Sequence, residues 1–208
     1  MVLPDQEYDP KRALRAAQRR RPDPPAPAGF TIRDAVAGDM PHCRAIYNHY
    51  VENSTVTFDE APLSHARMRA KFHKAQEHGW PWLVAVSGPT DDGEVLGYAA
   101  VSSYRDRSAY RYTVEDAIYL GPAATGRGIG SALLRELIGR AREAGFREIV
   151  AVIADQGAEA SIALHERQGF KEIGRMGRVG FKFDRWLGTV FLQLSLRPSR
   201  ARRADTRP

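Results

Sequence analysis

Leu120-Gly121-Pro122-Ala123-Ala124-Thr125-Gly126-Arg127-Gly128-Ile129-Gly130-Ser131 joins an apolar, β-like run to a long amphipathic pattern. Downstream of it, Ile129, Leu133, Leu134, Leu137, Ile138 and Ala141 recur at helical spacing, with Arg135, Glu136, Arg140 and Glu143 on the opposite face. Gly145 stands where a helix ends on a left-handed residue. Upstream, residues 113–120 read as a strand. A helix start exposes unpaired amide N–H groups and the positive end of the dipole, and glycines remove the Cβ atoms that hold a diphosphate away. The stretch is therefore predicted to hold an anion through Thr125, Gly126, Arg127, Gly128, Ile129, Gly130 and Ser131. Two rival phosphate motifs fail on these letters. Gly121 and Gly126 have P-loop spacing, but Arg127 and Gly128 stand where Lys and Ser/Thr belong. Gly126, Gly128 and Gly130 are spaced by two, not as Gly-x-Gly-x-x-Gly, and no acidic ribose ligand follows about 20 residues on.

Outward from this junction the same reading gives the other elements. Phe30-Thr31-Ile32-Arg33 alternates like a strand, and Gly38-Asp39 offers an N-cap to a helix through Ile46, Tyr47 and Tyr50. A second helix is predicted from the Ser64 cap through Met68 and Phe72 to Gly79-Trp80-Pro81. Residues 82–86 and 95–103 form a hairpin across Asp91-Asp92-Gly93. A buried strand at 148–153, a helix at 159–168 stopped by Gly169, and a last strand at 186–196 complete the order. The alternation predicts an α/β (α+β) layered domain over 30–196.

Composition bounds the rest. At 208 residues and 43% apolar content the chain is one ordinary domain with tails. The net charge of +6 resides in those tails: residues 1–29 hold six basic and four acidic residues, and 197–208 hold five and one. The body balances, twenty against twenty, which argues against a nucleic-acid surface. Both tails, rich in Pro, Ala and Arg, are predicted to be disordered. No apolar run approaches the roughly 20 residues of a membrane span, and prolines rather than an apolar core follow Arg19-Arg20-Arg21, so a cytoplasmic protein is expected. The lone Cys43 forms no internal disulfide, excludes a multi-cysteine zinc site and reads as a core thiol; no metal is expected.

Thr125-Gly126-Arg127-Gly128-Ile129-Gly130 resembles the pyrophosphate loop of the GNAT N-acetyltransferase superfamily, Gln/Arg-x-x-Gly-x-Gly/Ala, with Thr125 in the Gln/Arg position. The body from about Ile32 to Leu196 is similar to phosphinothricin acetyltransferases in particular. The likeness rests on Asn48-His49-Tyr50-Val51, Ser54-Thr55-Val56-Thr57-Phe58, Trp80-Pro81-Trp82-Leu83-Val84-Ala85 and Leu164-His165-Glu166-Arg167-Gln168-Gly169-Phe170. The resemblance implies a mixed, largely antiparallel central sheet flanked by helices, acetyl-CoA as cosubstrate and a homodimer. It implies an amino-acid-like acceptor, of the phosphinothricin or methionine sulfoximine/sulfone type, attacking directly in a ternary complex.

Acetyl transfer needs a neutral amine, and an alkylamine of pKa near 10 is protonated at neutral pH. Glu115, on the strand that feeds the loop, matches the family's catalytic glutamate. Asp116 points to the other face of that strand and reads as structural. By the same resemblance, the backbone of Ala117, Ile118, Tyr119 and Leu120 pairs with pantetheine and polarises the thioester carbonyl. His165 takes the place of the tyrosine that assists thiolate departure. Phe58, Arg105, Arg107 and Tyr110 line the acceptor pocket, with the arginines suited to a carboxylate or phosphinate. Lys182 and Trp186 match a late segment that closes the pocket or supports a dimer contact. Gln156-Gly157-Ala158-Glu159 lacks the asparagine that relatives place there for CoA, leaving Ser161 as a substitute. Two rivals remain open. A non-catalytic CoA-binding regulatory module would bind without turnover, and a transferase for protein amines would need an open acceptor groove.

Overall fold

The structure, a computed structural model, describes residues 29–196. The two tails expected to be disordered lie outside the described residues. Seven strands form one sheet in the order β1-β2-β3-β4-β5-β7-β6. They are β1 (Phe30–Asp34), β2 (Trp82–Ser87), β3 (Val95–Ser103), β4 (Thr113–Leu120), β5 (Glu148–Ala154), β6 (Lys171–Lys182) and β7 (Arg185–Ser195). Every neighbouring pair is antiparallel except β4 with β5. Four α-helices accompany them among the described residues: α1 (Met40–Asn53), α2 (His65–Glu77), α3 (Ile129–Glu143) and α4 (Glu159–Arg167). The expected α/β class and largely antiparallel sheet are thus observed. Among the described residues, no helix is long and apolar enough to cross a membrane.

Both faces of the sheet are covered, which explains why β2 is apolar at nearly every position rather than at alternate ones. Its Leu83 and Ala85 pack with α3, whereas Val84 and Val86 pack with α1 and α2 on the other side. The α3 stripe legible in the sequence is the one buried: Ile129, Leu133, Leu134, Leu137 and Ala141 are fully enclosed. Ser64 caps α2 as expected, its hydroxyl accepting from the Arg67 amide at 3.2 Å.

Asp39 behaves differently from its expected capping role. It stands at the start of α1 without bonding a helix amide there. Its carboxylate accepts both Arg33 guanidinium nitrogens, at 2.7 and 2.9 Å, and the Val36 amide at 2.8 Å. A bidentate charge-assisted pair outweighs a single cap bond, so it captures the side chain. The other departure is β6, to which no residue range was assigned from the sequence. Its glycines and charges hide any alternation, because this edge strand is exposed along most of its length.

Candidate active site

The glycine-rich junction folds as a turn followed by a helix start. Gly126 and Gly128 both take positive φ, 73° and 77°, a region that side chains with a Cβ disfavour. The first bond into α3 runs from the Ala132 amide to the Gly128 carbonyl at 3.1 Å. The amides of Ile129, Gly130 and Ser131 therefore precede the helical ladder, as an anion site requires. Side chains contribute less than the sequence suggested. Thr125 Oγ1 turns back to donate to the Pro122 carbonyl at 3.1 Å, Ile129 is buried in the core, and Ser131 Oγ accepts from Gln168. Arg127 is exposed beside the turn. Ser161 uses its carbonyl to accept from His165 Nδ1.

Next to this helix start the sheet opens. The β4–β5 ladder ends at Glu115 opposite Val150, although β4 continues to Leu120 and β5 to Ala154. Backbone direction alternates along a strand, and the Gly121 amide donates to Leu96 on the β3 side at 2.8 Å. Ala117 and Tyr119 consequently pair toward β3, while Asp116, Ile118 and Leu120 turn their backbone groups toward the gap. Of the four residues expected to meet pantetheine, two face the opening. The Leu120 carbonyl already accepts the Tyr50 hydroxyl at 2.7 Å.

On the α1/α2 side of β4 lies a cavity of about 580 Å³. Its origin is legible in the register. Ala100 of β3 faces Ala117 of β4, so two small residues leave a hollow between the Tyr98–Tyr119 pair and the Ser102–Glu115 pair. Trp82, Tyr98 and Tyr119 stack in sequence across three strands, with centroids 5.7 and 5.6 Å apart, and wall off one end. Glu115 and Phe58 both line the cavity; Arg105, Arg107 and Tyr110 do not. Those three are exposed on the β3–β4 connection, where Arg105 lies over the Tyr104 ring at 4.6 Å. Arg105 nevertheless acts on the site. Burial and the neighbouring Asp116 charge hold the Glu115 carboxyl above the ordinary carboxylate range, and Arg105 opposes that rise.

The wall carrying Phe58 is fixed from β6. Lys182, 3% exposed, donates from Nζ to the Thr57 carbonyl at 2.8 Å, so it anchors the pocket rather than closing it. Burial lowers its pKa, against the pull of Asp59 and Glu60. Gly180 is a packing requirement, since a Cβ there would lie 2.5 Å from the Phe58 ring. Trp186, by contrast, is half exposed on β7.

His165 lies in the interior, 2% exposed, with both ring nitrogens engaged. Nδ1 meets the Ser161 carbonyl at 2.7 Å and must donate to it; Nε2 meets Asp116 Oδ2 at 2.9 Å. Burial alone would depress this imidazole, but the Asp116 carboxylate and the Ser161 carbonyl leave its pKa raised. The splayed strand carrying Glu115 is thereby tied to α4 by a buried pair. Asp116 Oδ1 is also buried, without a hydrogen-bond partner among the described residues. Removing one member of such a pair strands the other charge, so His165→Phe is expected to cost about 3–5 kcal/mol of stability. A raised folded pKa means the contribution is complete below the ordinary value of 6.5 and fades as pH climbs through the folded one. Urea unfolding at pH 6 and pH 9 checks this; a cost that does not shrink at the higher pH rules out an imidazolium–carboxylate pair.

The site thus combines a gap between parallel strands, a glycine-rich helix start with amides outside the helical ladder, and a carboxylate of raised pKa beside a cavity. The chain belongs to the Acetyltransferase (GNAT) family, whose family model matches residues 43–170. It is 43% identical over 166 residues to a phosphinothricin N-acetyltransferase of Alcaligenes faecalis, spanning 80% of this chain and 82% of that one. It is also 43% identical over 171 residues to an L-methionine sulfoximine/L-methionine sulfone acetyltransferase of Pseudomonas aeruginosa, covering 82% and 97%. Among solved structures, a GNAT superfamily phosphinothricin acetyltransferase from Sinorhizobium meliloti in complex with acetyl-CoA superposes with a TM-score of 0.75, at 44% identity over 85% of this chain and 97% of that one.

Proposed function

We propose that this protein transfers the acetyl group of acetyl-CoA to the primary amine of a small amino-acid-like acceptor of the phosphinothricin or methionine sulfoximine/sulfone type. The observation that carries the reading is the placement of Glu115 at the point where β4 parts from β5, facing the cavity on one side of the strand while the gap opens on the other. Acetyl-CoA supplies an activated thioester acyl group. The amides of Ile129, Gly130 and Ser131, with Gly126 and Gly128 giving close approach, hold its diphosphate, and Arg127 adds a cation beside them. Ile118 and Leu120 offer backbone groups to the pantetheine arm; Ala117 and Tyr119 shape the cavity floor and end wall.

Glu115 takes the proton from the acceptor ammonium, directly or through water, and its raised pKa brings it nearer the amine it must deprotonate. Phe58 flanks the acceptor; Arg105, Arg107 and Tyr110, on the exposed β3–β4 connection, meet its α-carboxylate. His165 supports the strand from the interior through Asp116. The enzyme acts as a cytoplasmic homodimer. The apolar side chains of Ile173, Met176, Phe181 and Trp186, all near half exposed on β6 and β7, supply a surface for the second subunit. Thiol release from acetyl-CoA, followed across a panel of amino acids, tests the reading. Rapid turnover of phosphinothricin or methionine sulfone is expected, and tight acetyl-CoA binding with no turnover of any amine would replace it with a binding module.

A further inference from the structure

Charge is distributed unevenly around the cavity. Its carboxylate, that of Glu115, belongs to β4; its cations, Lys71 and Lys74, are exposed three residues apart on α2. Each ammonium lies over a ring that also lines the cavity, Lys71 Nζ 5.8 Å from the centroid of Tyr47 and Lys74 Nζ 5.7 Å from that of Trp80. Cation–π attraction holds both amines at the rim instead of leaving them loose in solvent. Neither is in an ion pair among the described residues.

We propose that Lys71 and Lys74 form a subsite for an oxyanion at the far end of the acceptor's side chain. The inference rests on the amino-acid reading above. An α-amine directed at Glu115 and an α-carboxylate directed at Arg105 share one carbon, so only the side chain remains to enter the hollow over Ala100 and Ala117. That hollow belongs to a cavity lined by Trp80, Tyr98 and Tyr119, which suit an aliphatic linker, and by Lys71 and Lys74. The site thus selects for length and terminal charge together, and the selecting groups lie on α2, away from the glycine-rich loop and from Glu115.

Three acceptors with identical α-groups test it: phosphinothricin, ending in a phosphinate; methionine sulfone, ending in neutral oxygens; and norleucine, ending in a methyl. Steady-state rates are compared for the wild type, Lys71→Met/Lys74→Met, which keeps the apolar stems over the rings, and Lys71→Arg/Lys74→Arg. The methionine pair is expected to raise KM for phosphinothricin roughly ten- to a hundredfold, with a smaller rise for the sulfone and the least for norleucine. The arginine pair restores the phosphinothricin preference. An equal KM change for all three acceptors, or a change confined to kcat, overturns the subsite while leaving the amino-acid reading in place. A wild-type protein that acetylates none of the three overturns both.

Discussion

Glu115→Gln is expected to lower kcat by roughly 10²- to 10⁴-fold while leaving acetyl-CoA affinity unchanged. The substitution keeps size and hydrogen-bonding capacity but removes the only property a base needs. Cosubstrate affinity is insulated because the amides of the helix start belong to a different segment, and because Glu115 faces the cavity on the α1/α2 side while the gap-facing groups are those of Ile118 and Leu120. The wild-type pH profile carries the same signature. A base acts only when unprotonated, so kcat/KM falls as pH drops through its folded pKa. Burial and Asp116 have raised that pKa, placing the acid limb above the ordinary carboxylate range. Arg105 holds it down, so Arg105→Ala moves the limb higher still. Equal turnover by Glu115→Gln and wild type across pH would remove this residue from the mechanism.

The second large effect separates two glycines that look alike in the sequence. Gly128→Val places a β-branched residue at φ 77°, a left-handed conformation that costs about 1–2 kcal/mol for residues bearing a Cβ. The loop relaxes away from that φ and carries the adjacent amides with it, so acetyl-CoA binding is expected to weaken roughly tenfold or more. Gly130→Ala is expected to bind as the wild type does. Its φ is helical, and an added methyl meets Leu120 and Leu164 side-chain carbons at 3.4 and 3.5 Å, close to ordinary packing distance. Calorimetric titration with acetyl-CoA distinguishes them, and equal losses at both positions would mean that the cradle depends on glycine content and not on the backbone angle at Gly128.

What the letters 113–145 carry, they carry locally. The α3 stripe, the strand before it and the turn between them are patterns of period and backbone freedom within one stretch of chain, and the structure reproduces them residue by residue. The same holds for the Ser64 cap and the β2–β3 hairpin, both set by neighbours a few residues apart. Asp39 escaped because its partner, Arg33, belongs to the preceding strand and competes with the helix for one carboxylate. The β6 strand escaped because an exposed edge imposes no apolar alternation on its residues.

The sequence by itself therefore determined the layered class, the glycine-rich helix start and, through resemblance, the family. Tertiary structure alone decided which of the candidates meet. The Ala100–Ala117 hollow arises from cross-strand register, the His165–Asp116 pair joins residues 49 apart, and Lys182 reaches Thr57 across 125 residues. Only the packing of α2 over Tyr47 and Trp80 brings Lys71 and Lys74 to the cavity. Local backbone preference is written in short-range pattern, whereas a site is assembled by contacts between distant segments, and no spacing along the chain records those.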